Sequence, residues 1–139
     1  MNDFSSDIKL KGEIERIIEY IDGSKEICVY KNTILVHGRM ALASMLVNRT
    51  STPGYYIDKM IFGSDGTSNG VPKYVNESRN GLFGLPVLIK SVTSLVDPNV
   101  PSRAVFTTVI AYNEANSLTL NEMALQMATG NIYSMRTLS

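Results

Sequence analysis

Between residues 7 and 20, Ile8, Leu10 and Ile14 recur at even spacing among Lys9, Lys11, Glu13 and Glu15. This alternation marks a half-buried strand, because successive side chains of a strand point to opposite faces. Ile14, Ile17, Ile18 and Ile21 also fit a helical repeat, so residues 13–21 carry a helical alternative. Asp22-Gly23-Ser24 supplies a turn, after which Glu26 to Tyr30 can pair back as a hairpin. From Ile34 the period changes. Ile34, Leu35, Gly38, Ala41, Leu42, Met45 and Leu46 recur every three or four residues, which predicts a helix capped by Asn32 or Thr33 and ending near Asn48. Gly38 inside it lowers helix stability by about 1 kcal/mol relative to Ala, which suggests close approach of another element.

Pro53-Gly54 breaks the chain, and Tyr55 to Phe62 resumes as a strand rich in aromatic and branched residues. Residues 63–81 are polar and rich in Gly, Ser and Asn, so they read as an extended arm or surface loop. Val87–Val96 is strand-like, Asp97 to Pro101 is a proline-bounded turn, and Ala104–Tyr112 alternates cleanly as a strand. Asn113 to Asn116 turns the chain, Leu118–Met127 continues as a strand, Thr129-Gly130-Asn131 turns again, and Ile132–Leu138 closes a meander. The fold expected is mainly β with one internal helix, an antiparallel β-sandwich or small open barrel. One domain spans 1–139: residues 1–30 form an N-terminal hairpin extension, and 31–139 the helix and antiparallel core.

Composition narrows the function classes. With 139 residues, 44% hydrophobic and 19% charged, the chain can build one core. Thirteen basic and thirteen acidic residues cancel, leaving no charge excess to neutralise phosphates, so nucleic acid is not an expected partner. No segment approaches the about 18 consecutive apolar residues that span a bilayer, and the N-terminus has no secretory pattern, so synthesis in the cytoplasm and no membrane partner are expected. The single Cys28 forbids an internal disulfide.

Little in the chain suggests catalysis. His37 is the only histidine and Cys28 the only thiol, so a small hydrolase would have to use this pair, yet neither carries the flanking pattern of a nucleophile site. No H-x-x-x-H or H-E-x-x-H spacing exists for zinc, Ser64 to Gly70 lacks the alternating acids of a calcium loop, and no phosphate-binding glycine loop with its lysine is present. The expectation is no enzyme, no cofactor and no metal. Glu122 shares parity with Leu118, Leu120 and Ala124, which implies partial burial and predicts an ion pair with Arg103 or Arg136 across neighbouring strands.

The order KNTILVHGRMALASMLVN, then YYIDKMIFGSDGTSNG, a strand pair, and LTLNEMALQMATGNIYSMRTLS resembles small virion proteins of tailed bacteriophages. The resemblance rests on Asn32 before the helix, Gly63 and Gly66 after a strand, Asn121, Glu122 and Leu125, the turn at Gly130, and Tyr133 and Arg136 in the closing strand. It covers most of residues 31–139 and leaves the first 30 outside. It implies a structural component of the tail, baseplate, neck or fibre attachment, located in the virion. Such a component works as a homo-oligomer in contact with copies of itself and other virion proteins. The expected contact residues are Tyr55, Tyr56, Ser64, Asp65, Thr67, Asn69 and Tyr74, together with the N-terminal strand and the closing hairpin at Gly130. Glu122, Arg136 and Gly130 are structural. The competing expectation is a receptor- or carbohydrate-binding module that uses Tyr55, Tyr56, Tyr74 and the polar loop, since aromatic faces beside polar loops suit sugars.

Overall fold

A computed structural model describes residues 10–47 and 54–138. The alternation of the N-terminal stretch is realised as strand β1 (Gly12–Glu19), which turns at Gly23 and pairs along its whole length with β2 (Lys25–Ile34). The helical alternative for residues 13–21 loses because β2 supplies a complete ladder partner. Helix α1 (Val36–Val47) follows, then β3 (Ile57–Gly63), β4 (Thr67–Ser68), β5 (Val71–Pro72), β6 (Leu88–Ser91), β7 (Thr93–Val96), β8 (Ala104–Thr107), β9 (Glu122–Met127) and β10 (Ile132–Thr137). The fold is mainly β with one helix, as expected. Six antiparallel strands in the order β1-β2-β10-β9-β3-β6 form a sheet curled into a half barrel, and β4–β5 and β7–β8 are separate two-stranded ribbons.

Both faces of the curled sheet are packed, because neighbouring residues on a strand point to opposite sides. Ile61, Ala124 and Met135 join Leu35, Val75 and Ile132 on one face, with Leu82 and Phe83 against them. Phe62, Met123 and Leu138 occupy the other, where Ile14, Tyr30, Met60, Leu88, Ile110 and Leu120 close over them. Each core is small, so loop side chains complete it.

Two irregularities position the helix and the strand edges. At Tyr133 the β9–β10 register slips by one residue, leaving Tyr133 unpaired on that side. Its carbonyl accepts the Leu35 N–H at 2.9 Å, and Gly38 lies so close that a Cβ there would sit 2.5 Å from the same oxygen. The glycine inside the helix is therefore the close approach its cost implied. A second slip at Asp58 lets its carbonyl take the Val92 N–H at 3.2 Å.

Several expected boundaries move. Asn32, Thr33 and Ile34 do not cap the helix; they end β2, because Thr33 and Ile34 pair with Met135 and Ser134 and the Asn32 amide donates to Ser134 Oγ at 2.7 Å. The helix begins after Leu35, and its Val36 N–H is satisfied by the Glu77 carbonyl at 2.9 Å. Val87–Val96 is two strands in two sheets, β6 on β3 and β7 on β8. Ala104–Tyr112 keeps strand form only to Thr107, which pairs with Thr93, the first residue of β7. Beyond it Thr108 Oγ1 bonds the Ser91 carbonyl at 3.1 Å and Ile110 turns onto the second core. Leu118–Met127 is a strand only from Glu122, the point at which β3 and β10 both become available as partners. Residues 63–81 are not an extended arm. Asn69 (φ 51) and Gly70 (φ 78) form the two-residue left-handed turn between β4 and β5, and Val75 is buried in the first core. Residues 7–9 of the first strand, the helix end at Asn48 and the break at Pro53 lie outside the described residues.

Candidate interaction surface

Four of the nine residues behind the virion resemblance, Gly63, Gly66, Asn121 and Glu122, meet at one structural joint. The Gly66 N–H donates to Asn121 Oδ1 at 2.8 Å, and the Asn121 N–H to the Gly63 carbonyl at 3.0 Å. The Asn121 carbonyl accepts the Leu138 N–H at 2.7 Å, and its Nδ2 reaches Thr67 Oγ1 at 3.2 Å. One asparagine thereby ties the end of β3, the β4–β5 ribbon and the chain's closing strand together. Gly63 and Gly66 are required here, since a Cβ at either would collide with Glu122 or Asn121.

Glu122 is fully buried, and its partner is not an arginine. Its two carboxylate oxygens accept the backbone N–H groups of Phe83 and Gly84, each at 3.2 Å. Arg79 shapes that donor pair: it donates to the Gly81 and Leu82 carbonyls at 3.3 and 3.2 Å and stacks 3.7 Å over the Phe83 ring. Arg103 pairs instead with Asp97 at 3.4 Å. Arg136 donates to the Lys31 and Thr137 carbonyls at 3.1 and 2.9 Å and lies 5.5 Å over Tyr30, where Arg16 stacks as well at 5.3 Å. The expected ion pair fails because two peptide N–H groups, aimed at the carboxylate from a loop 38 residues away in sequence, satisfy it first. Burial also pushes the Tyr133 hydroxyl above its ordinary pKa.

Cys28 and His37 do not form a catalytic pair. Six residues of extended strand separate Cys28 from the end of β2, about 20 Å at the usual rise, and the thiol faces Arg16 and Glu26 at 3.7 and 3.8 Å. His37 borders a shallow cleft of ≈ 90 Å³ with Met40, Ala41, Ser44, Tyr55, Met127 and Asn131. Among the described residues, no three His, Cys, Asp or Glu side chains gather where they could hold a metal ion, and no helix is long and apolar enough to cross a membrane.

The expected contact residues split between two ends of β3. Tyr55, half-buried in the cleft, and Tyr56, exposed, precede the strand; Ser64, Asp65, Thr67, Asn69 and Tyr74 follow it. Ser64 lies eight extended steps beyond Tyr56, about 26 Å, so Tyr55 and Tyr56 do not form one site with Tyr74 and the polar loop. Within the loop, Asp65 pairs with Lys73 at 3.3 Å and Thr67 is engaged by Asn121, while Asn69 serves the turn. Gly130, at φ 95, closes the β9–β10 turn.

Two ribbons, β1–β2 and β7–β8, carry exposed apolar side chains. β2 meets β10 only at Thr33 and Ile34, so most of the β1–β2 hairpin extends past the sheet. Its outward face exposes Ile17 (54%), Ile27 (60%) and Val29 (62%), and Ile21 at the tip is 91% exposed. The β7–β8 ribbon likewise exposes Leu95 and Val96. Among the described residues, twenty-two large hydrophobic side chains are exposed and twelve hydrophobic residues buried, so much of the apolar surface has no partner within the chain. The signal was present in GEIERIIE, where isoleucines occupy both parities and one face cannot bury them all. No family model, curated protein or solved structure matches the chain.

Proposed function

We propose that this chain is a non-catalytic structural subunit of a tailed-phage virion, in the tail, baseplate, neck or fibre-attachment apparatus. It works through contacts with copies of itself and with other virion proteins. The observation that carries the reading is the exposed apolar side chains on the β1–β2 hairpin, which joins the six-stranded sheet only at its end, and on the two-stranded β7–β8 ribbon. An isolated two-stranded ribbon is at best marginally stable in water, and contiguous exposed apolar surface is a mark of a protein-binding face. The joint of Gly63, Gly66, Asn121 and Glu122 brings together four of the nine residues on which the virion resemblance rests. Receptor or glycan binding has less support, since two of the three tyrosines assigned to it, Tyr55 and Tyr56, lie at the opposite end of β3 from Tyr74 and the polar loop.

The test is mass spectrometry and electron microscopy of particles purified from cells producing the phage that encodes the chain. The expected result is stoichiometric recovery of the chain in intact particles and density for it in a symmetric layer. Particles complete without it would refute the assignment.

A further inference from the structure

The outward face of the β1–β2 ribbon carries an ordered charge pattern. Along that face β1 presents Glu13, Glu15, Ile17 and Glu19, and β2 presents Lys31, Val29, Ile27 and Lys25, all exposed. The register sets them in four rungs: Glu13 opposite Lys31, Glu15 opposite Val29, Ile17 opposite Ile27, and Glu19 opposite Lys25. The result is an acidic edge on one strand, a basic edge on the other, and an apolar patch between.

We infer that this face is the docking surface for the same face of a second copy, related by a two-fold axis running parallel to the ribbon strands. Rotation about such an axis lays β1 of each copy over β2 of the other without shifting the rungs. Glu13 then faces the second copy's Lys31, Glu19 faces its Lys25, and Ile17 packs on its Ile27. Glu15 lies over Val29, diagonal to the Lys31 of the adjoining rung. A two-fold axis across the strands would set Glu13 over Glu19 and Lys25 over Lys31, placing like charges together. Only the first arrangement is self-complementary, as an isologous interface requires. Aligned sheet faces cross at about 30°, an offset that flexible lysine stems take up.

Eight residues of strand pair cover about 25 Å by 10 Å, well short of the roughly 800 Å² per partner of a stable interface. Ribbon pairing is therefore weak between free chains and is reinforced wherever an assembly brings copies together. This deepens the assembly reading above and rests on it for its setting, but it can be tested on the isolated chain.

The experiment is sedimentation equilibrium of the full chain at high concentration and low salt. Lys25→Glu should weaken self-association roughly tenfold, because two symmetric attractive pairs become repulsive. The double exchange Glu19→Lys with Lys25→Glu keeps the rung paired within each chain and should restore self-association, yet such chains should not pair with the wild type. In a Cys28→Ser background, Ile17→Cys chains mixed with Ile27→Cys chains should form mainly the mixed disulfide. A monomer at every concentration, association indifferent to these charges, or Ile17→Cys chains linking chiefly to each other would overturn the pairing. None of these outcomes touches the virion reading, which falls only if complete particles lack the chain.

Discussion

Gly63 and Glu122 form a lock that a double-mutant cycle can open. A Cβ at Gly63 would come within 2.9 Å of both Cγ and Cδ of Glu122 and closer still to Oε1. The carboxylate cannot retreat, since Phe83 and Gly84 hold its two oxygens and Gly66 is packed against its Cβ. Gly63→Ala is thus an overpacking change costing about 2 kcal/mol, even though alanine in a strand interior is otherwise favoured by about 0.5–1 kcal/mol. Glu122→Ala forfeits two hydrogen bonds to a charged acceptor at about 1.5–3 kcal/mol each. It also relieves the burial of a charge, leaving a net loss of about 3 kcal/mol. If the two effects were independent, the double variant would lose about 5 kcal/mol, the lower end of a whole domain's stability. The contacts predict otherwise: with the carboxylate gone, the alanine at position 63 meets open space, and the double variant loses only about 3 kcal/mol or less. Urea unfolding of the four proteins, with unchanged m-values, reads the coupling directly. An interaction energy within about 0.5 kcal/mol of zero would refute the lock.

Three further outcomes follow from particular contacts. Gly38→Ala should lower stability by about 1–2 kcal/mol in thermal unfolding, because the clash with the Tyr133 carbonyl outweighs the gain of about 1 kcal/mol in helix propensity. Gly130→Ala should cost about 1–2 kcal/mol and Gly130→Asn less; no heavy atom lies within 4 Å of the added Cβ, so the cost is conformational and a steric rescue should fail. Glu114 is held below the ordinary glutamate pKa first by the Lys90 ammonium and then by the Ala111 N–H. Its contribution is complete above the unfolded value of about 4.3 and is lost as pH falls through the lower folded value, so Glu114→Gln should flatten the acid limb of stability against pH, measured by urea midpoints.

Local pattern determined the strands that alternate and the turns that carry Gly or Pro. The β1–β2 hairpin, the close approach at Gly38, the Asp97–Pro101 turn and the Gly130 turn were all legible because a side chain's periodicity or a glycine's backbone freedom is a property of a few adjacent residues. The Asn69-Gly70 turn was equally legible as a hairpin signal, but the polarity around it suggested a loop. Partnership was decided only by the tertiary structure. Thr107 ends a strand whose alternation runs on to Tyr112, and Glu122 begins one whose apolar residues start at Leu118, because a strand persists only where a neighbour completes its ladder. Glu122 is answered by peptide N–H groups that every sequence possesses and no sequence pattern marks, and the isoleucines of the ribbon became a surface only when β10 paired with the last two residues of β2 and no others.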